Sequence, residues 1–313
     1  MGRKKQYASK AEKQAAYRER KKVTPPRADV LRNEDKPVKP ILRYFGGKWA
    51  LADWIIDMLP PHRIYVEPYG GSASVLMLKD RSFSEVYNDL DLEVVTLFRV
   101  LQNPVTFRDL QHRLKYTPYS RDEFELAYEP SDDPVERARR LMVRSWQGHS
   151  SVGAHRKTGF RTNVRYVRRS SPANDWRRLV EHIDLVTSRL QGVVIENRPA
   201  EAVITGHDTP ETLFYIDPPY PWSTRHDKVY RHEMDDQQHR DLAKLVRGVE
   251  GMVIVSGYAC DLYDIELFPD WHRITKDHYA DHGGDRTEVV WISPAAKAAL
   301  DRSRAHIQTV LFA

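Results

Sequence analysis

Apolar residues arrive in two rhythms along this chain. The first is short apolar runs bounded by polar, Gly or Pro residues: Ile64-Tyr65-Val66, the EVYND segment ending at Asp89, GVVIEN ending at Asn197, TLFYID ending at Asp217, GMVIVSGY ending at Tyr258, and RTEVVWIS ending at Ser293. Runs of that length and closure are buried strands. In the second rhythm apolar positions recur every three to four residues. It places Leu51, Trp54, Ile55, Met58 and Leu59 on one helical face, opens a helix over Ser72 to Leu78, and marks PVTFRDLQHRL, PVERARRLMVRSW and DDQQHRDLAKLVRG as helices.

Strand and helix alternate on both sides of a long interruption, and this order predicts an α/β fold with one doubly wound sheet split in sequence and continuous in space. Residues 1–40 read as a basic, disordered arm, charge-dense and then proline-spaced. Residues 41–100 and 190–300 form the expected catalytic domain. Residues 101–189 form an inserted, largely helical domain that ends in the polar run GHSSVGAHRKTGFRTNVRYVRRSSPANDW, too long to be an idle loop.

Charge sharpens this division. The net charge is only +5, yet residues 1–22 carry nine Lys/Arg against two Glu and residues 137–178 carry twelve against Asp175 alone, while the remainder holds 28 basic and 41 acidic residues. Positive charge concentrated in this way fits a polyanion surface. Phe160, Tyr166 and Trp176 sit among the arginines of the second segment and either stack on bases or anchor the segment to the core. No run approaches the length of a membrane span and no apolar segment follows the lysine-rich start, so a soluble, cytoplasmic protein is expected. Cys260, the single cysteine, permits no internal disulfide. His149, His155, His226, His232 and His239 show no metal-ligand spacing; they are expected at the surface or on phosphate, and no metal is expected.

Two turns carry the chemistry. Glu67-Pro68-Tyr69-Gly70-Gly71 lies between a strand and a helix, where backbone must approach a ligand closely, and Asp89 ends the next strand where ribose hydroxyls are bound in such folds. The glycines do not spell a dinucleotide fingerprint, which favours a smaller nucleoside-containing cofactor. In the other turn, Asp217-Pro218-Pro219-Tyr220, the prolines stop the strand ladder and leave a fixed carbonyl beside a carboxylate.

RYFGGK, VEPYGGSASV, YNDLD, the basic insertion, YIDPPY, VIVSGY and RTEVVWI follow one another in an order that resembles the Dam-like (D12 class) N6-adenine-specific DNA methyltransferase family over roughly residues 41–293. The resemblance implies a Rossmann-like methyltransferase sheet with an inserted target-recognition domain. It also implies S-adenosyl-L-methionine as cofactor and adenine in double-stranded DNA as substrate, with the base flipped out of the duplex. It assigns Tyr44, Lys48, Glu67, Tyr69, Gly70 and Gly71 to the cofactor's methionine end, Asp89 to its ribose and Asn197 to the segment beside its adenine, with Pro199 and Ala200 where the family usually carries Asp-Phe. Asp217, also at the cofactor, and the Pro218 carbonyl would hold the target amino group, Pro219 would stiffen the turn and Tyr220 would stack on the base. Arg161, Arg165, Arg168 and Arg169 would touch phosphate or base edges. The expected setting is DNA in a bacterial or phage-infected cell, with a restriction endonuclease as one conceivable counterpart. Cytosine N4 as the methylated atom, and a DNA-binding relative without catalysis, stay open. Cytosine C5 methylation does not, since Cys260 lacks a preceding Pro and stands outside the motif set.

Overall fold

In the computed structural model, which describes residues 36–162, 171–225, 228–279 and 285–311, the short apolar runs become one seven-stranded sheet. Strands β1 (Ile64–Glu67), β2 (Ser84–Asn88), β3 (Val193–Glu196), β4 (Thr212–Ile216) and β5 (Met252–Tyr258) are parallel, and β6 (His272–Tyr279) and β7 (Asp285–Ile292) close the edge as an antiparallel pair. The order is β3-β2-β1-β4-β5-β7-β6. Strand order reverses beside β1, so the crevice at the carboxyl ends of β1 and β4 is the place such a sheet leaves for a ligand.

Successive strand residues face opposite sides, and the core divides accordingly. Tyr65, Tyr87, Leu213, Tyr215, Ile254 and Val290 pack on one side, Val66, Val86, Phe214, Ile216, Val255 and Trp291 on the other. The first side is covered by α1 (Ala52–Ile56), α2 (Ser74–Leu78), α3 (Leu92–Gln102) and the helices that follow it: α4 (Pro104–Tyr116), α5 (Arg121–Leu126), α6 (Pro134–Gln147), α7 (Pro172–Glu181) and α8 (Ile183–Leu190). The second is covered by α9 (Ala200–Gly206) and α10 (Asp236–Arg247).

The sequence starts the inserted helices in one repeated way. Asn103, Asp133 and Ser171 each accept backbone N–H groups through a side-chain oxygen, and each is followed by proline at the first helical position, where no N–H is needed. These helices do not build a core of their own. Leu110, Leu114, Leu141, Met142, Trp146 and Trp176 belong to the same cluster as the sheet residues. At the far edge the fully buried Arg189 of α8 grips Glu85 of β2 with two bonds of 2.6 and 2.9 Å, and Lys79 joins the same carboxylate at 2.5 Å.

Strand β6 and the helices α3, α5, α8 and α9 lie outside the sequence expectation, as does the helix α11 (Pro294–Leu311) after the last strand, and α7 begins inside the run read as polar. No helix among the described residues is long and apolar enough to cross a membrane.

Candidate functional site

Three loops converge on the crevice because two asparagines staple them. Asn88, at the end of β2, donates to the carbonyls of Pro68 (2.8 Å) and Arg198 (3.0 Å) and accepts from the Arg198 N–H (2.9 Å). Asn197 donates to the carbonyls of Asp89 (2.7 Å) and Leu90 (3.3 Å), so its amide holds the neighbouring loop, while Pro199, Ala200 and Glu201 line the cavity. The cavity has a volume of about 270 Å³.

Its glycine turn is built for close approach. A Cβ on Gly70 would lie 2.1 Å from the Tyr87 ring, and Gly71 has φ +48°, a backbone conformation that side chains disfavour. The Gly71 N–H donates to Asp89 Oδ2 at 2.8 Å, and the Asp91 N–H to Asp89 Oδ1 at 2.7 Å. Glu67 Oε1 accepts the Tyr65 hydroxyl and the Leu76 N–H, each at 2.7 Å. Burial nevertheless pushes the Glu67 carboxyl up to about 7 and that of Asp89 up to about 6. With Asp91, Glu201, Asp217 and Glu233 also in the lining, against Lys48 and Arg231, the cavity has an excess of acidic groups.

Lys48 and Asp217 meet at the carboxyl end of β4. The Lys48 ammonium lies 2.9 Å from Asp217 Oδ1 and donates to the Gly46 carbonyl at 2.7 Å; it sits 4.7 Å from the centre of the Tyr220 ring. Burial alone would lower its pKa, but the Asp217 and Glu288 carboxylates outweigh burial and hold it above its ordinary value. Asp217 Oδ1 also accepts the Ser256 hydroxyl at 2.8 Å, and Ser256 is fully buried beside the Tyr215 hydroxyl at 3.0 Å. Among the described residues no group donates to Asp217 Oδ2. The carboxylate is therefore anchored by one oxygen and offers the other.

Of the residues singled out from the sequence, Tyr44, Lys48, Glu67, Tyr69, Gly70, Gly71, Asp89, Asp217 and Pro219 line this one cavity. Tyr220 lies behind it, 5% exposed. Arg161 stands outside the lining, 3.7 Å from Asp175, and Arg165, Arg168, Arg169 and Tyr166 lie outside the described residues. Phe160 packs on Tyr119 and Phe124, and Trp176 is buried with its N–H on the Thr117 carbonyl at 3.3 Å; both anchor the insertion. His239, expected at the surface, is buried against the Tyr263 hydroxyl at 3.0 Å, because it falls on the apolar face of α10.

Sequence reasoning missed Ser256, Glu288 and the wall formed by Tyr230, Arg231, His232, Glu233 and Met234. For Ser256 the signal was a lone polar residue inside an apolar strand; Glu288 ends the polar half of DRTEVVWI and gave none. For the wall there was none.

The family model of the D12 class N6 adenine-specific DNA methyltransferases matches residues 44–279, from the Tyr44 loop to the end of β6. The chain belongs to that family. A comparison with curated proteins found no match. The protein is thus an S-adenosylmethionine-dependent enzyme that methylates N6 of adenine in DNA, and neither cytosine N4 nor an inactive binder is favoured. This methyltransferase site fits its cofactor on its own evidence: six carboxyl groups against Lys48 and Arg231 leave the lining with an excess of acid, which suits a ligand with a fixed positive charge.

Proposed function

We propose that Asp217 Oδ2 and the Pro218 carbonyl accept the two hydrogens of the target amino group, and that this is how the chain makes a poor nucleophile attack. The nitrogen lone pair of adenine is delocalised into the ring, and two fixed acceptors favour the geometry in which it points out of the ring plane. The observation that carries this reading is the half-anchored carboxylate: Ser256 and Lys48 take Oδ1 and leave Oδ2 to the crevice. Pro218 and Pro219 have no N–H and a fixed φ, so the turn is organised before substrate arrives.

When bound, S-adenosylmethionine supplies the electrophilic methyl group. On this reading Tyr44, Glu67, Tyr69, Gly70 and Gly71 surround the methionine end, Asp89 takes the ribose, Asn197 braces the loop beside the adenine, and Lys48 stands where cofactor and target base meet. Adenine N6 takes part in pairing inside a duplex, so the base is flipped into the crevice and Tyr220 stacks on it with the ring face opposite Lys48.

Residues 101–189 choose the target sequence, with Arg161, Arg165, Arg168 and Arg169 on phosphate or base edges. Their supporting helix also touches the cofactor side: Ser145 of α6 bonds the Arg43 N–H (2.7 Å) and carbonyl (3.0 Å), next to Tyr44. Methylating each copy of one short sequence is the protection that a restriction endonuclease of matching specificity requires, and a restriction–modification setting on cytoplasmic DNA is the reading put to the test.

The test is incubation of mixed-sequence duplex DNA with methyl-labelled cofactor, digestion to nucleosides, and mapping of labelled positions. The reading expects N6-methyladenine at one recurring sequence and no label with Asp217→Asn. Label with Asp217→Asn at the wild-type rate would remove the acceptor role. Resistance of the product DNA to one of a panel of endonucleases tests the setting.

A further inference from the structure

Beneath the Asp217–Tyr220 turn lies a carboxylate that no motif assigned. Glu288 sits on β7 at 1% exposure, opposite Tyr258 of β5 and Lys276 of β6 in the strand register. Its Oε1 accepts the Tyr220 hydroxyl at 2.5 Å and lies 3.8 Å from the Lys48 ammonium. It is absent from the cavity lining, as are Tyr220 and Ser256. A buried carboxylate with no role would carry a desolvation cost, and replacing it by an apolar residue would be the simpler strand.

The ties made by Glu288 reach both parts of the machinery that must stay still. Through the hydroxyl it fixes the rotation of the Tyr220 ring, whose edge rests on Tyr258 at 4.8 Å between centres. Through charge it gives Lys48 a second counter-ion, so the ammonium is held between Glu288, Asp217 and the Gly46 carbonyl and above the Tyr220 ring. We propose that Glu288 is a positioning residue for methyl transfer: it locks Tyr220 as the base platform and holds Lys48 on Asp217 Oδ1, so that Oδ2 alone is presented to the target amine. This rests on the reading of Asp217 as acceptor.

Burial, opposed by Lys48 and reinforced by Asp217, pushes the Glu288 carboxyl up to about 7; the other titratable groups facing it are Tyr215, Tyr220, Tyr258 and Lys276. The positioning role therefore has a signature that packing lacks: only the ionised carboxylate holds Lys48.

The experiment is single-turnover methylation across pH 5.5–9 with saturating cofactor, alongside equilibrium binding of S-adenosylhomocysteine, for wild type, Glu288→Gln, Tyr220→Phe and Asp217→Asn. Glutamine keeps an acceptor for the Tyr220 hydroxyl and removes the charge. Expected for Glu288→Gln is a rate lower by about 10- to 100-fold, the size of one lost charge-assisted contact, with ligand affinity within about twofold. The fall in rate expected of wild type as pH drops through about 7 should vanish in Glu288→Gln and persist in Tyr220→Phe. A folded Glu288→Gln with the wild-type rate and pH profile would overturn the proposal. So would a Glu288→Gln that does not fold, or one that loses ligand affinity as much as rate, since the residue would then hold the strand and not the reaction. An active Asp217→Asn would instead sink the underlying acceptor reading, whatever Glu288→Gln does.

Discussion

The acidic cavity makes a prediction about protons. Burial holds the Glu67 carboxyl near 7 and that of Asp89 near 6 in the ligand-free protein, and a permanently positive ligand beside them favours their charged forms. At pH 6.5 a carboxyl with a pKa of about 7 is roughly three-quarters protonated, and one at about 6 roughly one-quarter. Binding of S-adenosylmethionine at pH 6.5 should therefore release about one proton from the protein, and below about 0.1 at pH 8.5. Titration calorimetry in two buffers of different ionisation enthalpy reads this number directly.

Glu67→Gln isolates the larger share. Its amide oxygen can still accept the Tyr65 hydroxyl and the Leu76 N–H, so the turn should persist, but roughly three-quarters of a proton should disappear from the release at pH 6.5. Because the ligand's own amino group titrates identically with both proteins, it cancels in the difference. Equal release by wild type and variant would refute the idea that Glu67 is neutral before the cofactor binds. The sign for stability is also fixed. Both groups have folded pKa values above their ordinary ones, so the ligand-free fold binds more protons than the unfolded chain between about pH 4 and 7. Their contribution to stability is greatest below that window and is lost as pH rises through it, while His155 and His239, which burial pushes down to about 4, act in the opposite sense, so the test is a difference: between pH 5.5 and 7.5 the ligand-free wild type should lose more melting temperature, or gain less, than Glu67→Gln.

Three further perturbations separate the parts of the site. Ser256→Ala removes the hydroxyl that anchors Asp217 and should slow transfer by about 10- to 150-fold, the loss of a hydrogen bond to a charged group, with cofactor affinity unchanged in equilibrium dialysis. Gly70→Ala drives a methyl group into the Tyr87 ring, which is held by its hydroxyl on the Gly71 carbonyl; a loss of about 1–3 kcal/mol in denaturant unfolding and weaker cofactor binding are expected. Neutralising Arg161, Arg165, Arg168 and Arg169 together should reduce the slope of log affinity against log salt by about 3 to 4 if all four meet phosphate, and an unchanged slope would take that segment out of the DNA interface.

How much of this was legible depended on what each element needs from its neighbours. The parallel strands and α10 were readable because burial on both faces or on one stripe leaves an apolar signature in consecutive residues, as in TLFYI or in Leu242, Ala243 and Val246. The turns were readable because proline and glycine act locally. Strand β6 was not: HRITKDHY is polar and takes its conformation from pairing with β7 along the sheet edge. Asn197 lies outside the cavity lining, and its bonds to the Asp89 and Leu90 carbonyls were not legible because they join segments far apart in sequence. Ser256 and Glu288 were hidden for the same reason. Ser256 reads as an irregularity in an apolar strand, and Glu288 as the end of a polar half-strand, until the fold brings Asp217 and Tyr220 over them.

The split of charge along the chain then acquires a physical meaning. One ligand of this enzyme is a polyanion and the other carries a fixed positive charge, and a single uniform surface would serve one at the expense of the other. Arginines are concentrated in the 137–178 segment, while six carboxyl groups line the crevice, and near pH 6 Glu67 is largely and Asp89 about half protonated until a cation arrives. Methyl transfer leaves a neutral thioether where the sulfonium was. On the proton argument above, Glu67 and Asp89 then return toward their protonated forms, and the crevice holds the spent cofactor less tightly than the fresh one. The affinity of S-adenosylhomocysteine should accordingly fall below that of S-adenosylmethionine, by a margin that narrows in Glu67→Gln, because the same carboxylate that favours the cation is the one that gives up its charge when the cation is gone.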